Sequence, residues 1–222
     1  MNDKPANYRD AWNSLSETME SALLHVAGYT DEARIATETE KNTLSLLSNT
    51  IGIRPEDTML EIGCGVGRIG GVLAPKIRHW IGCDVADNML THAAVRLASV
   101  PNVELVRISG HDLRPIPDAH VDAVYCPVVF MHLEEWDRYA YVREAHRVLR
   151  PGGRFYCDNA NLDSDEGWAV FQSSAGFPPE SRPLHLSRCS TTTELAVYLR
   201  RAGFREVRTS TAGVWALGWG TK

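Results

Sequence analysis

Lysine is scarce in this chain. Lys4, Lys41, Lys76 and Lys222 are the whole set in 222 residues, and arginine makes up the rest of the 23 basic side chains against 28 acidic ones. The formal net charge of -5 gives the molecule as a whole no attraction for nucleic acid or an anionic membrane, so only a local basic patch could serve either. Cysteine pairing is missing too. Cys64, Cys83, Cys126, Cys157 and Cys189 are odd in number, form no Cys-x-x-Cys pair and lie mostly in apolar runs, so they read as small buried hydrophobes in a reducing compartment. No apolar run approaches the roughly 20 residues of a membrane span, and the opening residues MNDKPANYRDAWNSLSE lack the charged-then-apolar order of a secretion signal. A cytoplasmic protein without a membrane partner is expected. Histidines His25, His79, His92, His111, His120, His132, His146 and His185 show no metal-ligand spacing and no accompanying acidic cluster, so no metal is expected. With no Gly-x-Ser-x-Gly elbow, serine hydrolase chemistry is set aside. Internal repeats and low-complexity tracts are also absent.

What is present fits one well-buried α/β domain with appendages. Tyr8 to Leu47 carries apolar residues at helical spacing, broken at Gly28 and Thr30-Asp31. From Thr58 short apolar runs alternate with helical stretches, the pattern of a parallel sheet covered on both faces. Strands are expected at Thr58 to Ile62, Trp80 to Asp84, Val103 to Ile108, Val121 to Cys126 and Arg154 to Asp158. Helices fall between them: one from Arg68 stopped by Pro75, one near Asn88 to Ala98, and one near Glu134 to Leu149 ended by Pro151-Gly152-Gly153. An irregular insertion follows to about Cys189, with Pro178-Pro179, Pro183 and the aromatics Trp168, Phe171 and Phe177; insertions of this kind usually cover a site. A helix over about Thr193 to Ala202 then leads to two antiparallel strands, Phe204 to Ser210 and Val214 to Trp219, joined at Thr211-Ala212-Gly213.

The most informative segment is Glu61-Ile62-Gly63-Cys64-Gly65-Val66-Gly67-Arg68, an apolar strand entering a loop of alternating glycines. Such a loop lets a nucleotide-like ligand approach bare backbone at the carboxyl end of a strand. Arg68 stands where the dinucleotide fingerprint has its third glycine, and Glu61 would repel a pyrophosphate while attracting a cation. S-adenosylmethionine carries both an ammonium and a sulfonium.

Three further motifs follow in order: Gly82-Cys83-Asp84-Val85-Ala86-Asp87-Asn88-Met89-Leu90, Gly110-His111-Asp112-Leu113, and Arg143-Glu144-Ala145-His146-Arg147-Val148-Leu149-Arg150-Pro151-Gly152-Gly153. Over about Ile53 to Gly220 the chain resembles the class I S-adenosylmethionine-dependent methyltransferases, in particular the small-molecule branch called type 11. The resemblance implies a Rossmann-like, doubly wound seven-stranded sheet, parallel with an antiparallel C-terminal hairpin strand and helices on both faces. It also implies a division into a helical cap over 1–50 and a methyltransferase domain over 51–222 with a lid at about 159–189. The cofactor site would take in Glu61, Gly63, Cys64, Gly65, Gly67, Arg68, Asp84, Val85, Met89, His111, Asp112, Leu113 and Pro127.

Physical roles can be assigned to several of these. Glu61 would bind the methionine ammonium, directly or through a water. Asp84 either accepts from both ribose hydroxyls or caps the next helix, with Asp87 the better cap of the two. Met89 lies against the adenine or packs in the core. The resemblance implies that Asp112 accepts from the adenine amino group, with the Leu113 amide facing a ring nitrogen; the alternative is a cap of its own loop.

Cys126-Pro127-Val128-Val129 departs from the Asn/Asp-Pro-Pro-Tyr/Phe motif of enzymes that methylate amino groups of nucleic-acid bases. His132, beyond it, either serves as a general base or satisfies loop backbone. Tyr8, Trp12, His132 and Trp168 are the acceptor-binding candidates, Trp168 alternatively anchoring the lid. The function expected is methyl transfer to O, N, S or C of a small molecule, releasing S-adenosylhomocysteine. A methyltransferase for tRNA or protein, and a non-catalytic cofactor-binding regulator, are the alternatives.

Overall fold

The computed structural model describes residues 8–222, in two compact units divided after Gly110. In the first unit, β1 (Thr58–Ile62), β2 (His79–Asp84) and β3 (Val103–Arg107) lie side by side in the order β3-β2-β1, all parallel. Every residue of β1 is buried, which is why its sequence shows no polar alternation. Helix α5 (Arg68–Leu73) follows β1 and gives way at Pro75 to a 3₁₀ turn, as the proline required. It packs tightly on β2: a Cβ added at Gly70 would lie 2.7 Å from the buried Trp80 ring, and one at Gly82 2.2 Å from it. Helix α6 (Asp87–Arg96) crosses from β2 to β3.

Four helices precede β1: α1 (Tyr8–Ser14), α2 (Met19–Ala27), α3 (Glu32–Glu38) and α4 (Ser45–Thr50), the last two joined by a π-helical turn at Thr39–Leu44. The breaks fall where the sequence places them. Gly28 ends α2 in the left-handed region, and Asp31 caps α3 by accepting the Arg34 N–H. These helices do not stand apart as a cap of residues 1–50. Ala22, Leu23 and Ile35 share one hydrophobic cluster with Val66, Ala86 and Met89, so they fold with the glycine loop and the end of β2.

In the second unit, β4 (Val121–Cys126), β5 (Leu149–Ala160), β6 (Arg205–Ala212) and β7 (Trp215–Thr221) take the order β4-β5-β7-β6. β4 and β5 are parallel, and β7 is antiparallel to both β5 and its hairpin partner β6, which are its neighbours in the sheet. Helix α7 (Glu135–Val148) links β4 to β5, and α9 (Thr192–Arg201) packs Leu195 and Leu199 over Gly218 of β7.

The insertion after β5 is more ordered than its composition suggests. It contains α8 (Asp165–Ala175), started by the Ser164 hydroxyl accepting the Gly167 N–H. That serine cap is a legible start signal. Edge strand β6 bears a bulge between Arg205 and Arg208, with Glu206 at φ +48°, a device that discourages further strand pairing.

Candidate functional site

The glycine loop of the first unit is held from within. Gly63, Gly65 and Gly67 have φ of +72°, +52° and +75°, backbone that only glycine adopts cheaply. The Gly63 and Cys64 N–H groups donate to the Cys83 carbonyl at 2.8 and 2.9 Å, and Gly67 N–H donates to the Cys64 carbonyl at 2.9 Å. Gly65 N–H donates to Asp84 Oδ2 at 2.8 Å. Four loop amides are therefore committed to the protein. A loop that cradles pyrophosphate needs such N–H groups pointing at the ligand, so this one suits a ligand without phosphates. Glu61 lies buried just ahead of it on β1.

Asp84 closes the loop. Besides Gly65, it accepts the Ala86 N–H at 2.9 Å, an Asx-type turn at the end of β2. Burial pushes its carboxyl up, and the N–H groups of Ala86, Gly65 and Val85 oppose that shift. It is not a helix cap: the residue before α6 is Ala86, which makes no side-chain cap bond. Nor is Asp87 the cap. It is the first residue of α6, paired with Arg9 and, at 3.6 Å, with Arg107.

Met89 is buried in the cluster with Val66 and Ala86, and its sulfur lies 4.0 Å from where a Gly65 Cβ would sit. Tyr8 and Val85 both flank Gly110, at 3.4 and 3.5 Å from its virtual Cβ, which places Tyr8 beside the end of β2. Trp12 is half-buried and packs against the hydrophobic cluster. The Arg68 guanidinium reaches Thr39 at 3.3 Å, so that side chain braces the π-helical turn. The Cys64 thiol is buried against the Gly82 position and pushed well up by burial, leaving only its backbone for the loop.

In the second unit, Asp112 accepts its own loop's Arg114 N–H at 3.2 Å and pairs with Arg114 Nε at 3.0 Å and His111 at 3.7 Å. This is the loop-capping arrangement. The Leu113 amide donates to Glu144 Oε2 at 2.8 Å. Arg147 completes the staple by donating to Glu144, Asp118 and the Leu113 carbonyl, and its bond to Glu144 holds that carboxyl below the usual range. Both residues stand in the Arg143 to Gly153 motif, three apart on α7 and so on one face of the helix.

His132 sits on the 3₁₀ turn Phe130–His132 after β4, with Nδ1 2.7 Å from the His185 carbonyl. Burial drops its pKa to about 4, against the bond to the His185 carbonyl, which raises it, and with small contributions to the fall from the charges of His185 and Arg188, so the ring is neutral at pH 7 and donates from Nδ1. That is the backbone-satisfying role. Because the unfolded residue titrates near 6.5, the unfolded chain takes up a proton that the folded one refuses. Stability is therefore expected to decline as pH falls from about 6.5 to about 4, by about 2–3 kcal/mol. Melting curves across this range for the wild type and His132→Asn, which keeps a donor for His185, check it; identical pH slopes would show that His132 is not the group responsible.

Two features were not legible in the sequence. Val128, just past β4, is β-branched yet has φ +59°, a conformation costing about 1–3 kcal/mol. Its N–H donates to Asp158 Oδ1 at 2.6 Å, and the Tyr156 hydroxyl donates to Asp158 Oδ2 at 2.8 Å, all three within the second unit. Arg138, buried on α7, donates to the carbonyls of Phe130, Leu133 and Arg188 and pairs with Glu194 at 3.1 Å. Trp168 is 48% exposed on α8 and stacks on Phe171 with centroids 5.1 Å apart. Pro127 is buried at the end of β4.

Residues 60–157 match the family model of the methyltransferase domain. The match runs from β1 into β5. A probable S-adenosylmethionine-dependent methyltransferase of Mycolicibacterium smegmatis is 34% identical over 146 residues, 66% of this chain and 51% of that protein. The 27-O-demethylrifamycin SV methyltransferase of Amycolatopsis mediterranei is 28% identical over 65% of this chain and 54% of its own length. The chain spans about half the length of these curated relatives. Among solved structures, magnesium protoporphyrin IX methyltransferase from Synechocystis with bound S-adenosylhomocysteine superposes with a TM-score of 0.69 at 17% identity, covering 97% of this chain and 98% of that one. The Rossmann-like methyltransferase fold expected from the sequence is thus the fold of this chain.

Among the described residues, no group of three or more His, Cys, Asp or Glu is placed to hold a metal ion. Nor, among the described residues, is any helix long and apolar enough to cross a membrane.

Proposed function

We propose that this protein transfers a methyl group from S-adenosylmethionine to a small-molecule acceptor. The observation that carries the proposal is the glycine loop itself: its Gly63, Cys64, Gly65 and Gly67 amides are turned inward, with buried Glu61 ahead of it. Such a loop offers a cationic ligand carbonyl oxygens and a carboxylate, and offers a pyrophosphate little. Glu61 would hold the ammonium of the methionine portion, the loop backbone its sulfonium side, and Asp84, through lone pairs left over from its N–H donors, the ribose hydroxyls. When bound, the cofactor supplies an electrophilic methyl carbon on a good leaving sulfur. The protein's part is then to align the acceptor in line with that carbon and exclude water, which needs no strong base. Neutral His132, with its low pKa, is consistent with that.

On the acceptor side, α8 presents the Trp168 and Phe171 stack at the carboxyl end of β5, and we assign Trp168 to acceptor binding and residues 159–189 to a lid. The rifamycin-precursor and protoporphyrin methyltransferases act on small molecules, which supports the same class here.

Titration calorimetry with S-adenosylhomocysteine and with NAD is the first test: the former should bind and the latter should not. A panel of small phenols, amines and thiols, scored by release of S-adenosylhomocysteine, then identifies the acceptor chemistry. Tight NAD binding with no adenosylhomocysteine binding would remove the reading. Salt-sensitive binding of bulk tRNA in a filter assay would move the acceptor to nucleic acid.

A further inference from the structure

A valine in the left-handed region is held there by something, and here the restraint is visible. The Val128 N–H donates to Asp158 Oδ1 at 2.6 Å, the short distance of a charge-assisted bond. Asp158 is itself 3% exposed and anchored through its other oxygen by the Tyr156 hydroxyl at 2.8 Å. Tyr156 and Asp158 are two residues apart on β5 and so share one face of the sheet. Burial, together with the carboxylate beside it, pushes the Tyr156 hydroxyl well up, so it stays protonated and keeps donating.

The peptide joining Pro127 to Val128 is trans and planar, as no cis bond occurs among the described residues. Its carbonyl therefore points opposite to its N–H. Fixing the N–H on Asp158 fixes the Pro127 carbonyl pointing away from Asp158, at the carboxyl end of β4. In open α/β sheets that end is where ligands bind. Strained backbone, a buried charge and a second anchoring side chain are more than a turn needs merely to reverse direction, and strain of this kind gathers at functional sites.

We propose that Asp158 is a positioning residue for methyl transfer: by holding Val128 in its left-handed conformation it presents the Pro127 carbonyl to the acceptor, with Tyr156 holding Asp158 in turn. The proposal rests on the methyltransferase reading above and adds to it a role for residues that no motif marked. It assigns Asp158 no proton transfer and no contact with the cofactor.

The experiment is a cycle of Asp158→Asn, Val128→Gly and the double variant, with Tyr156→Phe beside them, in the full chain. Asparagine keeps the shape but loses the charge and sets an N–H₂ against one of the two donors. Asp158→Asn is expected to lower kcat toward a panel acceptor by about 10–100-fold, the scale of a misplaced reacting group, with affinity for S-adenosylhomocysteine within about twofold of wild type. Glycine adopts φ +59° freely, so Val128→Gly in the Asp158→Asn background should restore much of the lost turnover. Tyr156→Phe should show a smaller loss of the same kind.

In NMR spectra the wild-type Val128 amide proton should lie far downfield and move upfield in Asp158→Asn. A purely structural role would lower the melting temperature without the rescue in kcat. Unchanged turnover in Asp158→Asn, or a double variant no better than it, overturns the proposal. If the wild type methylates nothing in the panel, the functional reading fails instead; the amide signal and the stability coupling between positions 128 and 158 then still decide whether Asp158 holds the turn, and an amide proton at an ordinary position overturns that hold.

Discussion

Arg138→Ala is expected to lower the stability of the folded protein by about 3–5 kcal/mol, the range for removing one partner of a buried ion pair. The side chain is 3% exposed, and its loss strands several groups at once. Nε serves the Phe130 carbonyl at 2.9 Å and the Leu133 carbonyl at 3.0 Å, Nη2 serves the Arg188 carbonyl at 2.8 Å, and Nη1 meets the Glu194 carboxylate at 3.1 Å. Glu194 sits in the first turn of α9, whose start is capped by the Thr191 hydroxyl, so one guanidinium ties α9, the 3₁₀ turn carrying His132 and the end of the 159–189 insertion together. Lysine cannot replace it, because a point ammonium has no planar fork to span these directions. Chemical denaturation of wild type, Arg138→Ala and Arg138→Lys measures the cost. A loss below about 1 kcal/mol for the alanine variant would mean that water reaches these carbonyls and that the side chain is not the tie described.

Asp84→Ala is expected to cost cofactor affinity and stability together. Truncation leaves the Gly65 and Ala86 N–H groups in the interior without their acceptor, at roughly 1–3 kcal/mol for each unsatisfied group. Because Gly65 belongs to the glycine loop, the loop relaxes as well. Affinity for S-adenosylhomocysteine should fall by about 1.5–3 kcal/mol, or roughly 10- to 150-fold, the range for hydrogen bonds to a charged group. Asp84→Asn, which keeps one acceptor oxygen, should retain part of both. Calorimetry and melting curves on the same preparations separate the two effects. Unchanged affinity with lowered stability would confine Asp84 to holding the loop and leave the ribose to other groups.

Much of this molecule is local, and local features are legible. The apolar runs of β1, β2 and β4 sit where continuous hydrophobicity placed them, because a strand buried on both faces needs no partner to show its character. Pro75, Gly28 and Asp31 end or begin helices through backbone effects confined to a residue or two. The alternating glycines announced a loop with three left-handed residues, and the charge of Glu61 ahead of it is what argued for a cationic ligand over a dinucleotide.

Hydrogen-bond partners are different in kind. Asp84 was legible as a carboxylate at a strand end, but its service to Gly65 depends on two segments 19 residues apart meeting. The Leu113 amide has no side chain to read, and its capture by Glu144 comes from α7 folding back over the loop. Trp12 and Arg68 stand in suggestive positions, yet only the packing of α1 to α4 set one against the hydrophobic cluster and the other on Thr39. The Val128, Asp158 and Tyr156 arrangement has no sequence signature, since nothing in a Pro-Val-Val run foretells a positive φ.

The sequence by itself determined the fold class and the glycine loop, because periodicity and glycine spacing act over a few residues. Only the tertiary structure decided which amides and carboxylates in that frame are already committed to each other. A buried donor must find an acceptor somewhere, and where that acceptor comes from is settled by contacts between segments far apart in the chain.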